Sequence, residues 1–173
     1  CNASPAADGV PPLLALDARV ELASSTATRT LALADLIHGN RKTARNSTEL
    51  LAFITVPAAA LQGNSAFFKL GSRSYLVISM AMVAARLAAG TDGRITHAAI
   101  AVGACSAVAQ RLDALEAALA GQPLAEVAGV VLPEHVAGLT PIDDVRAPAH
   151  YRMHAALEGT RRALVQAAEG LTP

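Results

Sequence analysis

Two long apolar runs, Leu76 to Leu87 and Ile95 to Val102, flank the turn sequence Gly90-Thr91-Asp92-Gly93. Either run is long enough for a buried helix or a buried strand. Val77, Ile78 and Val83 are β-branched and the glycine-rich turn joins the runs, so strand is the favoured reading and the pair becomes a buried antiparallel hairpin. Met80 and Met82 then fill core space rather than ligate anything. The tail is helical in pattern. Leu112, Leu115 and Leu119 share one face of a helix ended by Gly121, and Leu124 to Val136 adds a further apolar stretch. Pro141-Ile142-Asp143-Asp144-Val145-Arg146 is a non-helical connector, and the last helix starts near Pro148. Met153, Leu157, Thr160 and Leu164 recur at helical spacing with Arg152, Arg161 and Glu169 off that face, as in an amphipathic helix docked on a sheet.

The first part of the chain is mainly extended. A short helix over residues 5 to 17 is expected, with Pro5 or Pro11 in a first turn where a missing N–H costs nothing. Arg19 to Ala23 and Thr28 to Leu33 alternate in polarity around Ser24-Ser25-Thr26-Ala27 and form a hairpin with one buried face. Ala34 to Gly39 reads as one helical turn closed by glycine, and Asn40 to Thr48 as a polar loop. Leu50 to Val56 is a strand that Pro57 stops, and Ala58 to Asn64 is a linker of small residues, which puts a subdomain boundary near residue 60. Ala66 to Leu70 is a strand followed by a short loop, Gly71 to Ser74. Strands followed by strands with helices behind them define an α+β fold.

Composition removes several functional classes. In 173 residues, 14 Lys+Arg balance 14 Asp+Glu and only 3% are aromatic, so neither a phosphate-binding basic patch nor a base-stacking platform is available for nucleic acid. The most apolar stretch, Tyr75 to Gly90, contains Arg86 and falls short of the ~20 residues a membrane helix needs. Cys1 and Cys105 make neither a disulfide framework nor a zinc site. His150 and His154, four apart on the last helix, could share a face and bind a metal, although a surface histidine pair is the commoner outcome. No dinucleotide fingerprint, phosphate loop or nucleophile elbow is present. Cys1-Asn2-Ala3-Ser4-Pro5-Ala6-Ala7 would also suit the lipidated start of a bacterial lipoprotein, but an apolar periodic segment follows almost at once.

Four ordered segments carry a resemblance to a known family. They are Asn2-Ala3-Ser4-Pro5-Ala6-Ala7-Asp8 with Pro12 to Ala18; Arg41-Lys42-Thr43 through Glu49-Leu50-Leu51 to Val56-Pro57; Phe68-Lys69-Leu70-Gly71-Ser72-Arg73 leading into Ile78-Ser79-Met80-Ala81; and Arg111, Glu116 to Gly121, Pro141 to Ala147 and Tyr151-Arg152. Together they resemble the flavin-binding subunit or domain of the molybdenum hydroxylases, the group of xanthine dehydrogenase and aerobic carbon monoxide dehydrogenase. The resemblance implies that residues 1–57 are the C-terminal part of an FAD-binding lobe. Residues 62–173 would be an α+β domain like the C-terminal domain of the carbon monoxide dehydrogenase flavoprotein, a small antiparallel sheet packed against helices. It further implies that Asp8, Leu51 and Lys69 contact FAD, with Asn2 and Ser4 in the same turn as Asp8 reaching its pyrophosphate or ribityl chain. The family's glycine-rich flavin loops are not in this sequence, so part of the cofactor site is expected on an N-terminal FAD-lobe segment.

By the same resemblance, the function is electron transfer from 2Fe-2S clusters through FAD to NAD or oxygen. The iron–sulfur subunit and the molybdopterin subunit are then partner chains, the location is the bacterial cytoplasm with the periplasm as the alternative, and this chain contributes no catalytic residue of its own. Each assignment has a plainer counterpart. Asp8 would cap the helix after it, Lys69 would be a solvated strand residue, Leu51 would be core, and Arg73 would be surface. Asp143, Asp144 and Arg146 are expected to form a local ion pair and cap rather than an acid–base site. The competing function is a non-enzymatic α+β binding or scaffold module anchored through Cys1.

Overall fold

The computed structural model describes residues 2–171, so a lipid anchor at Cys1 falls outside the described residues. The chain begins with helix α1 (Val10–Ala15), shorter than the 5–17 helix the pattern suggests because the residues before Gly9 form turns. Strand β1 (Arg19–Ala23), β2 (Thr28–Ala32), helix α2 (Leu33–Leu36), and strands β3 (Ile37–Gly39), β4 (Lys42–Thr43) and β5 (Leu50–Thr55) follow. The single turn expected over Ala34 to Gly39 is therefore divided. Ile37 to Gly39 is drawn into a ribbon with β4, and Ala44 N–H donates to Leu36 O at 2.8 Å.

β1 lies between β2 and β5, antiparallel to both, and a bulge at Glu21/Leu22 bends it. Val20 and Leu22 face inward and are fully buried with Leu14, Ala18, Leu33 and Leu36. The loop before β5 is pinned by Glu49. Its carboxylate accepts from Arg29 Nε and Nη2 at 2.7 and 2.9 Å and from Asn46 N–H at 2.7 Å. The Arg29 hydrogen bonds, seconded by the Asn46 amide, hold its carboxyl down at about 2.

A second sheet follows a 3-10 turn at Ala58–Leu61. It runs β6 (Asn64–Leu70), β7 (Ala81–Ala89), β8 (Ile95–Gly103), β9 (Gln110–Arg111) as an antiparallel meander. The central hairpin is the one expected from Gly90 to Gly93. Gly93 has φ +73, the Gly90 amide and Arg94 carbonyl close the turn at 2.9 Å, and the Asp92 carboxylate accepts from Arg94 N–H. The strand starts later than its apolar run, however. Residues 76–80 are irregular, with Tyr75, Leu76 and Ile78 exposed, because the chain leaving β6 must turn back through Gly71 to Ser79 before it can pair. Hydrophobicity marked the run, but pairing with β6 from Leu70↔Ala81 decided where it became a strand.

The two faces of this sheet have different partners. Ala81, Val83, Ala85 and Leu87 of β7, with Ala98, Ile100 and Val102 of β8, pack beneath helices α3 (Asp113–Leu119) and α5 (Ala149–Glu169). The expected apolar stretch Leu124 to Val136 is broken into short turns around α4 (Val127–Val130), which buries Leu124, Val127, Val131 and Val136 in the same core. α5 approaches closely through Ala155, Ala156, Gly159 and Ala163. A Cβ on Gly159 would sit 2.5 Å from the Phe68 ring, so only glycine fits there without movement. The opposite face carries Ala84, Ala99 and Ala101, and α1 lies against it through Leu14 and Ala15.

One reading of the last helix needs correction. Arg152, placed off the apolar face by helical spacing, is 2% exposed. Its guanidinium donates to Met80 O at 2.6 Å, Ala104 O at 3.3 Å, Ala147 O at 3.4 Å and Asp144 Oδ1 at 2.8 Å. Asp144 also binds Arg146, and Asp143 accepts from Ala149 N–H at 2.6 Å, so the expected ion pair and cap are both present. Arg152 thus ties the connector to the ends of β7 and β8. A buried cation is tolerable here because every acceptor around it is used.

Replacing Arg152 by Met removes the buried donor from the Met80 and Ala104 carbonyls and from Asp144, which keeps only its Arg146 side of the network. It should cost about 3–5 kcal/mol in urea unfolding, whereas Tyr151→Ala beside it, half exposed, should cost far less. Glu49 predicts an acid limb. Its folded carboxyl lies near 2 against an ordinary 4.5, so its contribution is complete above pH 4.5 and is lost as pH falls toward 2. A Glu49→Gln variant should show a shallower stability decline across that range.

Candidate functional site

α1 is held at both ends. At its C-terminus, Ala18 N–H bonds Leu13 O at 2.9 Å and Asp17 N–H bonds Leu14 O at 3.0 Å around Asp17 at φ +52, the two-bond ending that glycine usually supplies. Asp17 occupies this left-handed position because its carboxylate is gripped from the second sheet. Arg86 Nη2 donates to Oδ2 at 3.0 Å and Arg111 Nη1 to Oδ1 at 2.8 Å. The same arginines satisfy helix-end carbonyls, Arg86 Nε on Ala15 O at 2.9 Å and Arg111 Nη1 on Leu14 O at 2.9 Å. Arg111 is bound further by both oxygens of Glu116. Burial works against its charge, but the Glu116 and Asp17 carboxylates outweigh that and raise its proton affinity. For Arg86 burial dominates and lowers it.

At the other end of α1, Asp8 meets Lys69. The Lys69 ammonium lies 2.5 Å from Asp8 Oδ2, and Ser79 Oγ donates to Asp8 Oδ1 at 2.6 Å. Lys69 points to this face because β6 alternates. Ala66, Phe68 and Leu70 turn to the helical core, while Phe67 and Lys69 turn to the face that α1 covers. Asp8 makes no capping bond to α1, so the plain reading of Asp8 as a cap gives way to this pair. Partial burial would push its carboxyl up. The Lys69 and Ser79 hydrogen bonds and the Lys69 charge outweigh it and hold Asp8 below the ordinary carboxylate range.

The residues singled out by sequence divide between this place and others. Asp8 and Lys69 come together, from sixty-one positions apart. Asn2 and Ser4 occupy the turns leading to Asp8. Asn2 O accepts from Arg41 N–H at 3.1 Å, and Ser4 Oγ accepts from Ala6 N–H at 3.3 Å. Leu51 is half-buried on β5 opposite Leu22 and packs with the Val20 and Leu22 cluster. Ser79 was missed as a site residue although it lies in the segment Ile78-Ser79-Met80-Ala81. Its only signal was a buried hydroxyl in an apolar run, and it is 1% exposed. Arg73 donates to Leu76 O within its own loop. An open cleft of about 360 Å³ beside Lys69 is lined by that loop, from Gly71 through Ser74 to Val77. A larger, more apolar cavity of about 470 Å³ lies along α1 and α2 and has none of Asn2, Ser4, Asp8, Leu51 and Lys69 in its wall.

Among the described residues no group of three or more His, Cys, Asp or Glu side chains gathers for a metal, and His150 and His154 stand exposed on α5. No helix of the described residues is long and apolar enough to cross a membrane. Cys105 is fully buried, and burial pushes its thiol up to about 11. What the site offers is charge and hydrogen bonding at a cleft, the equipment of a binding module.

The comparisons say which kind. The family model described as CO dehydrogenase flavoprotein C-terminal domain matches residues 66–167, and the FAD binding domain in molybdopterin dehydrogenase matches residues 1–59. The chain belongs to the family of FAD-binding subunits of the molybdenum hydroxylases, oxidoreductase flavoproteins whose cofactor is FAD. Similar solved structures include quinoline 2-oxidoreductase from Pseudomonas putida 86, 25% identical over 98% of this chain and 58% of that one, with a TM-score of 0.85. Reconstituted CO dehydrogenase from Oligotropha carboxidovorans matches at 25% identity over 97% of this chain and 58% of that one, TM-score 0.85. Carbon monoxide dehydrogenase from Hydrogenophaga pseudoflava, in a form lacking the Mo-pyranopterin moiety of the molybdenum cofactor, matches at 26% identity over 99% of this chain and 59% of that one, TM-score 0.86. The chain thus spans under two-thirds of the length of these relatives. No curated protein matches it.

The Asp8–Lys69 pair is partly solvated, so its coupling should be modest. A double-mutant cycle of Asp8→Asn and Lys69→Met should give about 0.5–1 kcal/mol near neutral pH. The coupling is complete above the ordinary carboxylate range and should vanish as pH falls through the lowered Asp8 value.

Proposed function

We propose that this chain is part of the flavin-holding component of a molybdenum hydroxylase complex. In this reading residues 1–57 close an FAD-binding lobe and residues 62–173 form the C-terminal α+β domain behind it. The observation that carries it is the meeting of Asp8, Lys69 and Ser79, from both matched segments, with Lys69 also in the wall of an open cleft. The donor set suits FAD. Asp8 retains exposed lone pairs for ribose or ribityl hydroxyls, Lys69 offers charge to a phosphate oxygen, and the Asn2 to Ser4 turn supplies polar groups alongside. Leu51 would contact an apolar part of the cofactor from β5.

FAD, when bound, supplies the redox chemistry, exchanging electrons singly or in pairs. This chain's residues bind and orient it. Asp8 is held ionised by Lys69 and Ser79, so it accepts hydrogen bonds at any pH near neutrality. Electrons would arrive from 2Fe-2S clusters on an iron–sulfur subunit, after substrate oxidation at a molybdopterin subunit, and leave to NAD or oxygen. The bacterial cytoplasm is the setting we favour, with the periplasm as the alternative.

A further FAD-lobe segment carrying the glycine-rich loops would complete the site. In support, β5 is an edge of its three-stranded sheet and exposes Leu50, Phe53 and Ile54, a bare apolar strand that sheet proteins normally cover. The relatives' greater length supplies room for such a segment. In the intact protein, or this chain co-expressed with that segment, FAD should co-elute on gel filtration. Asp8→Ala or Lys69→Met should weaken its retention about tenfold or more. A well-folded pair that carries no flavin would refute the cofactor assignment and leave a scaffold module as the reading.

A further inference from the structure

The interlobe arginine Arg86 has an acceptor that can be switched off. Arg86 stands in the middle of β7 on the face that receives α1 and is 4% exposed. Two of its contacts, Ala15 O and the Asp17 carboxylate, belong to the end of α1. The third is His97 on β8, whose Nε2 lies 2.7 Å from Arg86 Nη2. β7 and β8 pair Arg86 with Ala99 and Ala88 with His97, so the imidazole reaches Arg86 diagonally across the same sheet face. A guanidinium can only donate, so this contact requires a neutral ring with its Nε2 lone pair toward Arg86 and its proton on Nδ1.

We propose that His97 is a proton-operated latch on the seating of α1 and, through α1, on the Asp8 end of the helix. Neutral His97 holds the Arg86 guanidinium over Ala15 O and Asp17. On protonation Nε2 becomes a donor, the contact is lost, and a second positive charge faces Arg86. The charged groups around the pair are Asp17 from the loop after α1, Arg111 from β9 and Glu116 from α3. Glu116 is engaged by Arg111, and Asp17, which accepts from both Arg86 and Arg111, shares the cavity beside His97, so a protonated ring competes with Arg86 for that carboxylate. His97 is exposed, so protons reach it. It also lines a cavity of about 290 Å³ with Gln62 and Thr96, which gives the ring or the guanidinium room to swing apart. Displacement of the guanidinium loosens the grip on the end of α1. Asp8 lies just before the first residue of α1, so the change is passed to the Asp8–Lys69 pair.

The latch itself rests on Arg86 and His97. Only its effect on flavin rests on the function proposed above. The test is hydrogen–deuterium exchange of the α1 amides in the intact protein at about pH 8 and about pH 5.5, corrected for intrinsic exchange rates. Wild type should lose protection about tenfold on acidification. His97→Gln, whose amide oxygen can still accept from Arg86, should keep its protection at both pH values. His97→Lys should be poorly protected at both. A His97→Gln variant that loses protection in step with wild type, or a His97→Lys variant fully protected throughout, overturns the proposal. FAD retention followed in the same samples separates the two readings. A His97-dependent change in α1 with no flavin bound at any pH leaves the latch standing and removes the flavin assignment.

Discussion

Two arginines on the second sheet reach across to one helix end, and the placement of the first part of the chain follows from that contact. Arg86 and Arg111 together take Ala15 O, Leu14 O and both oxygens of Asp17. They convert a short helix ending in a left-handed aspartate, costly by itself, into a satisfied polar junction. The surrounding surface is alanine, at positions 84, 99 and 101, which lets the helix approach closely but confers little directional preference. Apolar contact supplies the adhesion here, and the arginines supply the register.

That register has a consequence at the opposite end of α1. With the C-terminus of the helix fixed, Asp8 is delivered to Lys69 and Ser79, and Ala104 N–H donates to Pro5 O at 2.9 Å to hold the preceding turn. Arg152 performs a similar task from the helical side, holding Met80 O one residue beyond Ser79. The Asp8, Lys69 and Ser79 cluster is therefore framed by groups that are themselves tied to both layers of the fold. Preorganisation of this kind suits a chain that positions a cofactor rather than reacting with a substrate.

The elements that sequence reasoning recovered are those where one local signal dominates. The Gly90 to Gly93 hairpin was legible from a glycine-rich turn between apolar runs, and the first hairpin from alternation at Val20 and Leu22. The start of α5 and its apolar face followed from Pro148 and the periodicity after it. The elements misplaced were those where competing partners settle the outcome. Ile37 to Gly39 is extended because β4 pairs with it, and residues 76–80 are irregular because β6 has to turn before β7 can join it. Arg152 falls off the apolar face by its spacing, and nothing local announces that four acceptors will converge on it.

The candidate site divides in the same way. The amino-acid sequence by itself determined the α+β class, the main strands and helices, and, through ordered motifs at Asn2 to Asp8, Phe68 to Arg73 and Pro141 to Arg152, the family. Periodicity and short motifs are local properties and survive in the linear chain. Only the tertiary structure decided that Asp8 binds Lys69 and Ser79 instead of capping α1, that Asp17 is shared by two arginines, and that His97 meets Arg86. Those contacts join residues dozens of positions apart. They exist because sheet register and the seating of one helix bring charges together, and neither can be read from any stretch of chain taken alone.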